Sequence, residues 1–353
     1  MSIWEQSAGL QRADLDAGDG DLDATRRRWL RAQCAGLHTA ARKLAGEPVA
    51  FLDEVEQCYG VRPAPVDHDV LAEAHRRLDV VLPGSGPLAA RYDAWRSTHI
   101  MTREQLTAAV HTLAEAFRDR TQRRFGLPEG EHIEFELVTD EPWSGFNYYE
   151  GDLRSRVAIN TDLPVSSTTI GHLIAHEAYP GHHTEHCRKE VGLVRQRRQM
   201  EESIFLVGTP QCLLAEGLAD LALEVLLGED AEPQLAELLH PLGIRYDTEV
   251  VAAIAQAGEA LSAVRGNAAL ILHDRGGSED DAIEELTRWA LLRGLNGVWP
   301  WLLGAALEVW NTRAMKGGRR APVATFVFAL SFALSFHVRK EGVLFFVPLW
   351  VGV

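Results

Sequence analysis

TTIGHLIAHEAYPGHHTEH, Thr168–His186, places five histidines within nineteen residues, and its reading decides the fold. The first half has the apolar spacing of a helix, with Thr168 or Thr169 placed to cap it. His172 and His176 then share a face as an i, i+4 pair, and Glu177 follows His176 directly. Pro180 removes the N–H that would meet the carbonyl of His176, and Gly181 adds free backbone dihedrals. On an unbroken helix His183 would lie on the His176 face but about 10 Å farther along, at ~1.5 Å per residue. Two nitrogens so separated do not reach one zinc at bonds of ~2.1 Å. A kink at Pro180-Gly181 swings His182 or His183 back toward His176. Histidines on a helix beside a glutamate form the arrangement in which imidazoles hold zinc and the carboxylate activates water. The strict H-E-x-x-H spacing fails, because Pro180 stands where the second histidine would be. His172 with His176 is a rival ligand pair. A single histidine is ordinarily a core or surface residue; five around a helix break point to a metal.

A further ligand is expected from another helix, and Leu213–Leu227 (LLAEGLADLALEVLL) is the candidate. Glu216, Asp220 and Glu224 recur every four residues on one face, and Leu214, Leu218, Leu221 and Val225 form the other. Like charges at that spacing destabilise a helix unless something cationic faces them. A metal with its histidines would do so; a solvated acidic stripe is the plain alternative.

Outward from these two helices the chain is mostly helical in period. Four segments between Thr25 and Phe125 repeat apolar residues every three or four positions and end at Gly or Pro. Ile133–Val138 (IEFELV) alternates instead, and Arg156–Asn160 (RVAIN) is short and β-branched, with the turn-rich WSGFNYYEGD between them. This predicts a β-hairpin or small sheet edge. Helices resume after Thr168 and run to about Trp310, broken near Pro210, Gly228–Pro233, Pro241 and Gly276-Gly277.

The chain of 353 residues carries 35 Lys+Arg against 50 Asp+Glu, and 46% of it is hydrophobic, which excludes disorder as the main state. A net charge of −15 disfavours a nucleic-acid partner, because such binding draws on cationic neutralisation of phosphates. Cys34, Cys58, Cys187 and Cys212 lie far apart without a C-x-x-C pair and read as reduced thiols. With no basic-then-apolar leader at the N-terminus, a cytoplasmic location is expected.

HEAYPGHH, preceded by SRVAINTDLP and followed forty positions after His176 by AEGLADLALE, resembles the HE-x-x-PGHH family catalogued as domain of unknown function 885. That family is regarded as metallopeptidases related to the helical zinc carboxypeptidases. The resemblance spans about Asn147–Arg275. It implies a mainly α, helical zincin-like metallopeptidase domain with a small β-hairpin or sheet beside the active-site helix. It further implies one zinc held by His176, by His182 or His183, and by Glu216, with Glu177 as general base. Asp220 or Glu224 would orient a ligand histidine through its free ring nitrogen, and His172 stands close by. The hairpin would be the edge against which an extended peptide substrate lies, with Asn147, Tyr148, Tyr149 and Arg156 contributing. The chain departs from the family at Leu218, where an aromatic is usual, and in GEALSAVRG (258–266), where Glu259 and Ala263 replace a glutamine and a tyrosine. Arg245, Tyr246, Arg265 or His273 then remain to stabilise an oxyanion.

The expected organisation is an acidic tail over 1–24, a single metallopeptidase-like domain over 25–320 and an apolar segment over 321–353. Within the domain, 25–125 is helical, 131–160 the hairpin and 168–227 the metal-site helices. Ala321–Val338 has eighteen residues without Asp, Glu, Lys or Arg. Its Thr, Ser and His residues favour a buried helix or strand pair, on a peripheral or poorly soluble protein, over a membrane span. A third alternative is that the tail is not the family's native ending. The expected function is zinc-dependent hydrolysis of small peptides, as a carboxypeptidase or oligopeptidase. The alternatives are a zinc hydrolase of another amide or ester, and a binding protein that has lost efficient catalysis.

Overall fold

The computed structural model describes residues 22–141, 144–162 and 164–291, with the pairs 337–338 and 344–345. Five helices come first. α1 (Ala24–Leu44) is capped by the Asp23 carboxylate, which accepts from the N–H groups of Thr25 and Arg26 at 3.0 Å each. α2 (Phe51–Tyr59), α3 (His68–Val81) and α4 (Leu88–Ser97) follow, the last a helix that the periodicity passes over. α5 (Arg103–Phe125) opens on a reciprocal capping box between Thr102 and Gln105 and buries Leu106, Val110, Leu113 and Phe117 at helical spacing. Those residues form the floor of the main core, on which the metal-site helices rest.

Three strands come next: β1 (His132–Val138), β2 (Gly145–Gly151) and β3 (Arg154–Asn160). β3 is central, parallel to β1 and antiparallel to β2. The stretch read as a turn, WSGFNYYEGD, is therefore largely a strand. Its aromatics favour extended backbone, and Tyr148 stands opposite Arg156, whose guanidinium lies 4.1 Å over its ring. The turn proper is short, with left-handed backbone at Gly151, Asp152 and Leu153.

α6 (Ser167–Glu177) and α7 (His182–Lys189) carry the histidine-rich stretch. Ser166, rather than Thr168 or Thr169, caps α6: its backbone is extended and its hydroxyl accepts from the Thr168 N–H at 3.3 Å. Ile170, Ile174 and Ala175 turn into the core against α5, and α6 also packs on β2. After a π-helical turn, Glu190–Arg195, come α8 (Pro210–Asp220) and α9 (Ala222–Leu227). α10 (Ala231–Leu239), α11 (Thr248–Leu261), α12 (Val264–His273) and α13 (Glu279–Trp289) complete the helices. α2 packs with Leu213 and Leu270 in one smaller cluster, and α3 with α12 and α13 in another.

One expectation changes here. The acidic helix is broken at Leu221 into α8 and α9. Its apolar face, not its acidic one, is turned outward: Leu214 is 55% and Leu218 51% exposed, whereas Glu216 is 4% exposed. The proposed 1–24 tail lies outside the described residues up to position 21. The 321–353 segment does so except for two dipeptides, which pair antiparallel as β4 (His337–Val338) and β5 (Leu344–Phe345). The expected helix running on to Trp310 is likewise outside them beyond Leu291. Among the described residues the four cysteines are free, and no helix is long and apolar enough to cross a membrane.

Candidate metal centre

α6 ends where the sequence breaks it. The Gly181 N–H bonds back to the carbonyl of Ala175 at 2.9 Å, so the chain folds over the helix end and α7 starts at once at His182. Only glycine fits at 181, because a Cβ there would lie 1.9 Å from the His176 carbonyl oxygen. The Asn147 side chain holds the same helix end from β2, donating to the Glu177 carbonyl at 2.6 Å. Asn147 thus positions the centre through the backbone, a role its assignment to substrate did not include.

The turn brings His182 to His176, with ring centroids 4.6 Å apart and rings nearly perpendicular. α8 supplies Glu216 between them. His176 Nε2 lies 3.5 Å from Glu216 Oε2, and His182 Nε2 lies 3.5 Å from Glu216 Oε1. Those separations exceed a good N–H···O bond. They match the spacing of about 3.3–3.4 Å between ligands on a tetrahedral zinc with bonds of ~2.0–2.1 Å. All three residues are buried, and one ligand atom from each lies within 4.8 Å of the others. His182 Nδ1 is buried with no hydrogen-bond partner among the described residues. The three ligand atoms, two imidazole nitrogens and a carboxylate oxygen, fit a divalent metal ion.

His176 turns its other nitrogen to Asp220, with Nδ1 2.9 Å from Oδ1, the N–H lying off the line between them. His172 Nε2 is 3.9 Å from the same oxygen, and its side chain is half exposed. Glu224, beyond the break at Leu221, is exposed and takes no place in this cluster.

Electrostatics follow from three carboxylates and two imidazoles in one buried space. Burial opposes the cationic form of His176, but Asp220 and Glu216 outweigh it and raise the pKa well above the ordinary histidine value. Burial likewise opposes His182⁺, and Glu216 raises it. Glu216 is held well below the carboxylate range, its burial being overcome by His182 and His176. Glu177, 3% exposed, is raised chiefly by burial.

His183, the alternative ligand, faces away. Neighbouring residues of a helix point about 100° apart, so when His182 meets Glu216 its neighbour enters the core. His183 Nε2 lies 2.9 Å from Glu131 Oε2, and its Nδ1 lies 2.8 Å from the Ser155 hydroxyl. Glu131 also accepts from the Tyr179 hydroxyl at 2.6 Å and from Arg118 Nε at 2.7 Å. Nothing at Glu131 in the sequence signals this network; only the GHH doublet hints that one histidine must be spent elsewhere.

The other expected site residues are dispersed. Tyr149 donates its hydroxyl to Glu190, and Arg156 pairs with Glu136. Tyr246 is buried and donates to Glu232, while Arg245 is exposed and offers its carbonyl to Ser167. Arg265 is partly buried on α12, and burial lowers its pKa to about 10. A cavity of about 590 Å³ is lined by Tyr149, His186, Lys189, Arg195 and Phe205 among others, on the far side of His186 from His182. The His186 ring is inclined 26° to that of His182 at 6.2 Å and stacks on Tyr149 at 4.9 Å.

No family model matches the chain, and no curated protein matches it. Among solved structures it is similar to the crystal structure of a "putative lipoprotein from Colwellia psychrerythraea", at 18% identity and a TM-score of 0.42. The match covers 93% of this chain and 54% of that one, so the chain spans about half the length of that structure.

Proposed function

We propose that the chain is a zinc-dependent hydrolase of peptide bonds acting on small peptides. The observation that carries this reading is Glu216, whose two oxygens stand 3.5 Å from the Nε2 atoms of His176 and His182 in a buried cluster. His176, His182 and Glu216 would hold the ion. Zinc in such a set supplies a Lewis acid for a scissile carbonyl and its attacking water. Asp220 stands 2.9 Å from Nδ1 on the far edge of the His176 ring, and its charge favours the proton on that nitrogen, which would leave Nε2 to the metal. Glu177, adjacent to His176 and screened from solvent, takes the proton of the attacking water on its carboxylate and returns it to the leaving amine.

β2 is an edge strand of the sheet and packs against α6 and α7, so an extended peptide laid along it would reach the centre. The cavity beyond His186 would receive a flanking residue of the substrate.

The test is metal analysis of the purified chain beside digestion of a short-peptide library, for the parent and Glu177→Gln. One zinc per chain and peptide turnover that is lost in Glu177→Gln are expected. A metal-free chain, or turnover that survives the substitution, refutes the reading.

A further inference from the structure

Next to the inner set stands a second trio. His172, His176 and Asp220 also bring one ligand atom each within 4.8 Å of one another, on the solvent side of the same α6 face. The two trios share His176 but use opposite edges of its ring: Nε2 faces Glu216 and Nδ1 faces Asp220. Once Nε2 is bound to a metal, Nδ1 keeps its proton, so His176 cannot serve both trios at once. What remains outside is His172 Nε2 and the Asp220 carboxylate, 3.9 Å apart. That distance is too long for a hydrogen bond and about 0.5 Å longer than the ligand spacing on a tetrahedral zinc, a gap the half-exposed His172 side chain would close on binding. The His172 side chain is half exposed, whereas that of Asp220 is 5% exposed, so one ligand is open to solvent and the other is anchored.

Charge favours a second cation as well. Glu177, Glu216 and Asp220 bring three negative charges when ionised, and one divalent ion offsets two of them. The residual charge attracts a further cation, although two protein ligands hold it less firmly than three.

We propose that His172 and Asp220 form a second, weaker divalent-cation site beside the centre, and that its occupation draws Asp220 away from His176. The inference rests on the inner zinc reading. Occupation of the outer site would therefore loosen the inner ion, because a histidine that loses its carboxylate partner holds its metal 10–100-fold less well.

Calorimetric titration of the metal-stripped full chain with zinc alone tests the proposal. The parent should take up two equivalents, the second at least roughly 100-fold more weakly than the first. His172→Ala should lose the second equivalent and keep the first, the difference setting aside any zinc held by other surface histidines. Asp220→Asn should lose the second and weaken the first by about 10–100-fold. Saturation of the parent at one equivalent, or a second equivalent that persists in His172→Ala, overturns the outer site and leaves the inner one standing. Uptake of no zinc at all overturns the inner centre, and the outer site with it.

Discussion

Replacing Glu131 by Gln should destabilise the protein by ~3 kcal/mol, even though the two side chains have nearly the same shape. The Glu131 side chain is fully buried and receives Arg118, Tyr179 and His183. Burial alone would raise its pKa. The hydrogen bonds from His183 and Tyr179 and the charge of Arg118 outweigh burial and lower it from 4.5 to about 2. At ~1.4 kcal/mol per pH unit, that gap favours the folded, ionised form by ~3 kcal/mol. Glutamine removes the charge and turns an N–H₂ toward groups that are themselves donors, so at least one buried donor loses its acceptor. Urea unfolding at pH 7 should show the loss, and thermal unfolding a fall of roughly 6–12 °C for a domain of this size. The pH dependence has a definite sign. A carboxylate with a depressed folded pKa stabilises above its unfolded pKa, near 4.5, and that contribution disappears as the pH falls through about 2. The parent should therefore lose these ~3 kcal/mol between pH 4.5 and 2, while the variant runs flatter there. Unfolding free energies within ~0.5 kcal/mol of each other at pH 7 would refute the network as a source of stability.

Four further outcomes are expected. His176→Ala, His182→Ala and Glu216→Ala should each abolish stoichiometric zinc in metal analysis, and full occupancy in His176→Ala would defeat the ligand set. His183→Ala should retain one zinc per chain yet unfold at lower denaturant than the parent; loss of metal without loss of stability would return His183 to the ligands. Glu177→Gln should keep its zinc and lose on the order of 10²–10⁴-fold in peptide turnover, read as initial rates against the parent. Gly181→Ala should fold poorly or lose the metal, since its Cβ would meet backbone at 1.9 Å, and an unchanged zinc content and melting curve would contradict the turn.

The fold and the centre were legible to different degrees, for physical reasons that individual residues make plain. Helices with a regular apolar face, such as α5, are written in their spacing, and so is the break at Pro180-Gly181, which follows from a missing N–H and a missing Cβ. α4 was missed because its LAARYDAWRS buries only Trp95 and has almost no apolar face to read. β2 was missed because the Gly, Ser and Asn of WSGFNYYEGD suggest turns one residue at a time, while the pairing that makes it a strand comes from β3, a partner that a local reading does not hold. The same difference separates His182 from His183. Both follow the break and both are histidine, so local geometry leaves either free to turn inward. The choice is made by Glu131 and Ser155, which lie 52 and 28 residues away and offer His183 two buried hydrogen-bonding partners. Leaving a buried imidazole without them would cost about 1–3 kcal/mol, so the core captures His183 and His182 is directed to Glu216 by default. The outward Leu214 and Leu218 follow from the same ordering. A carboxylate needed between two buried histidines takes the inner face of α8, and the leucines occupy the face that remains.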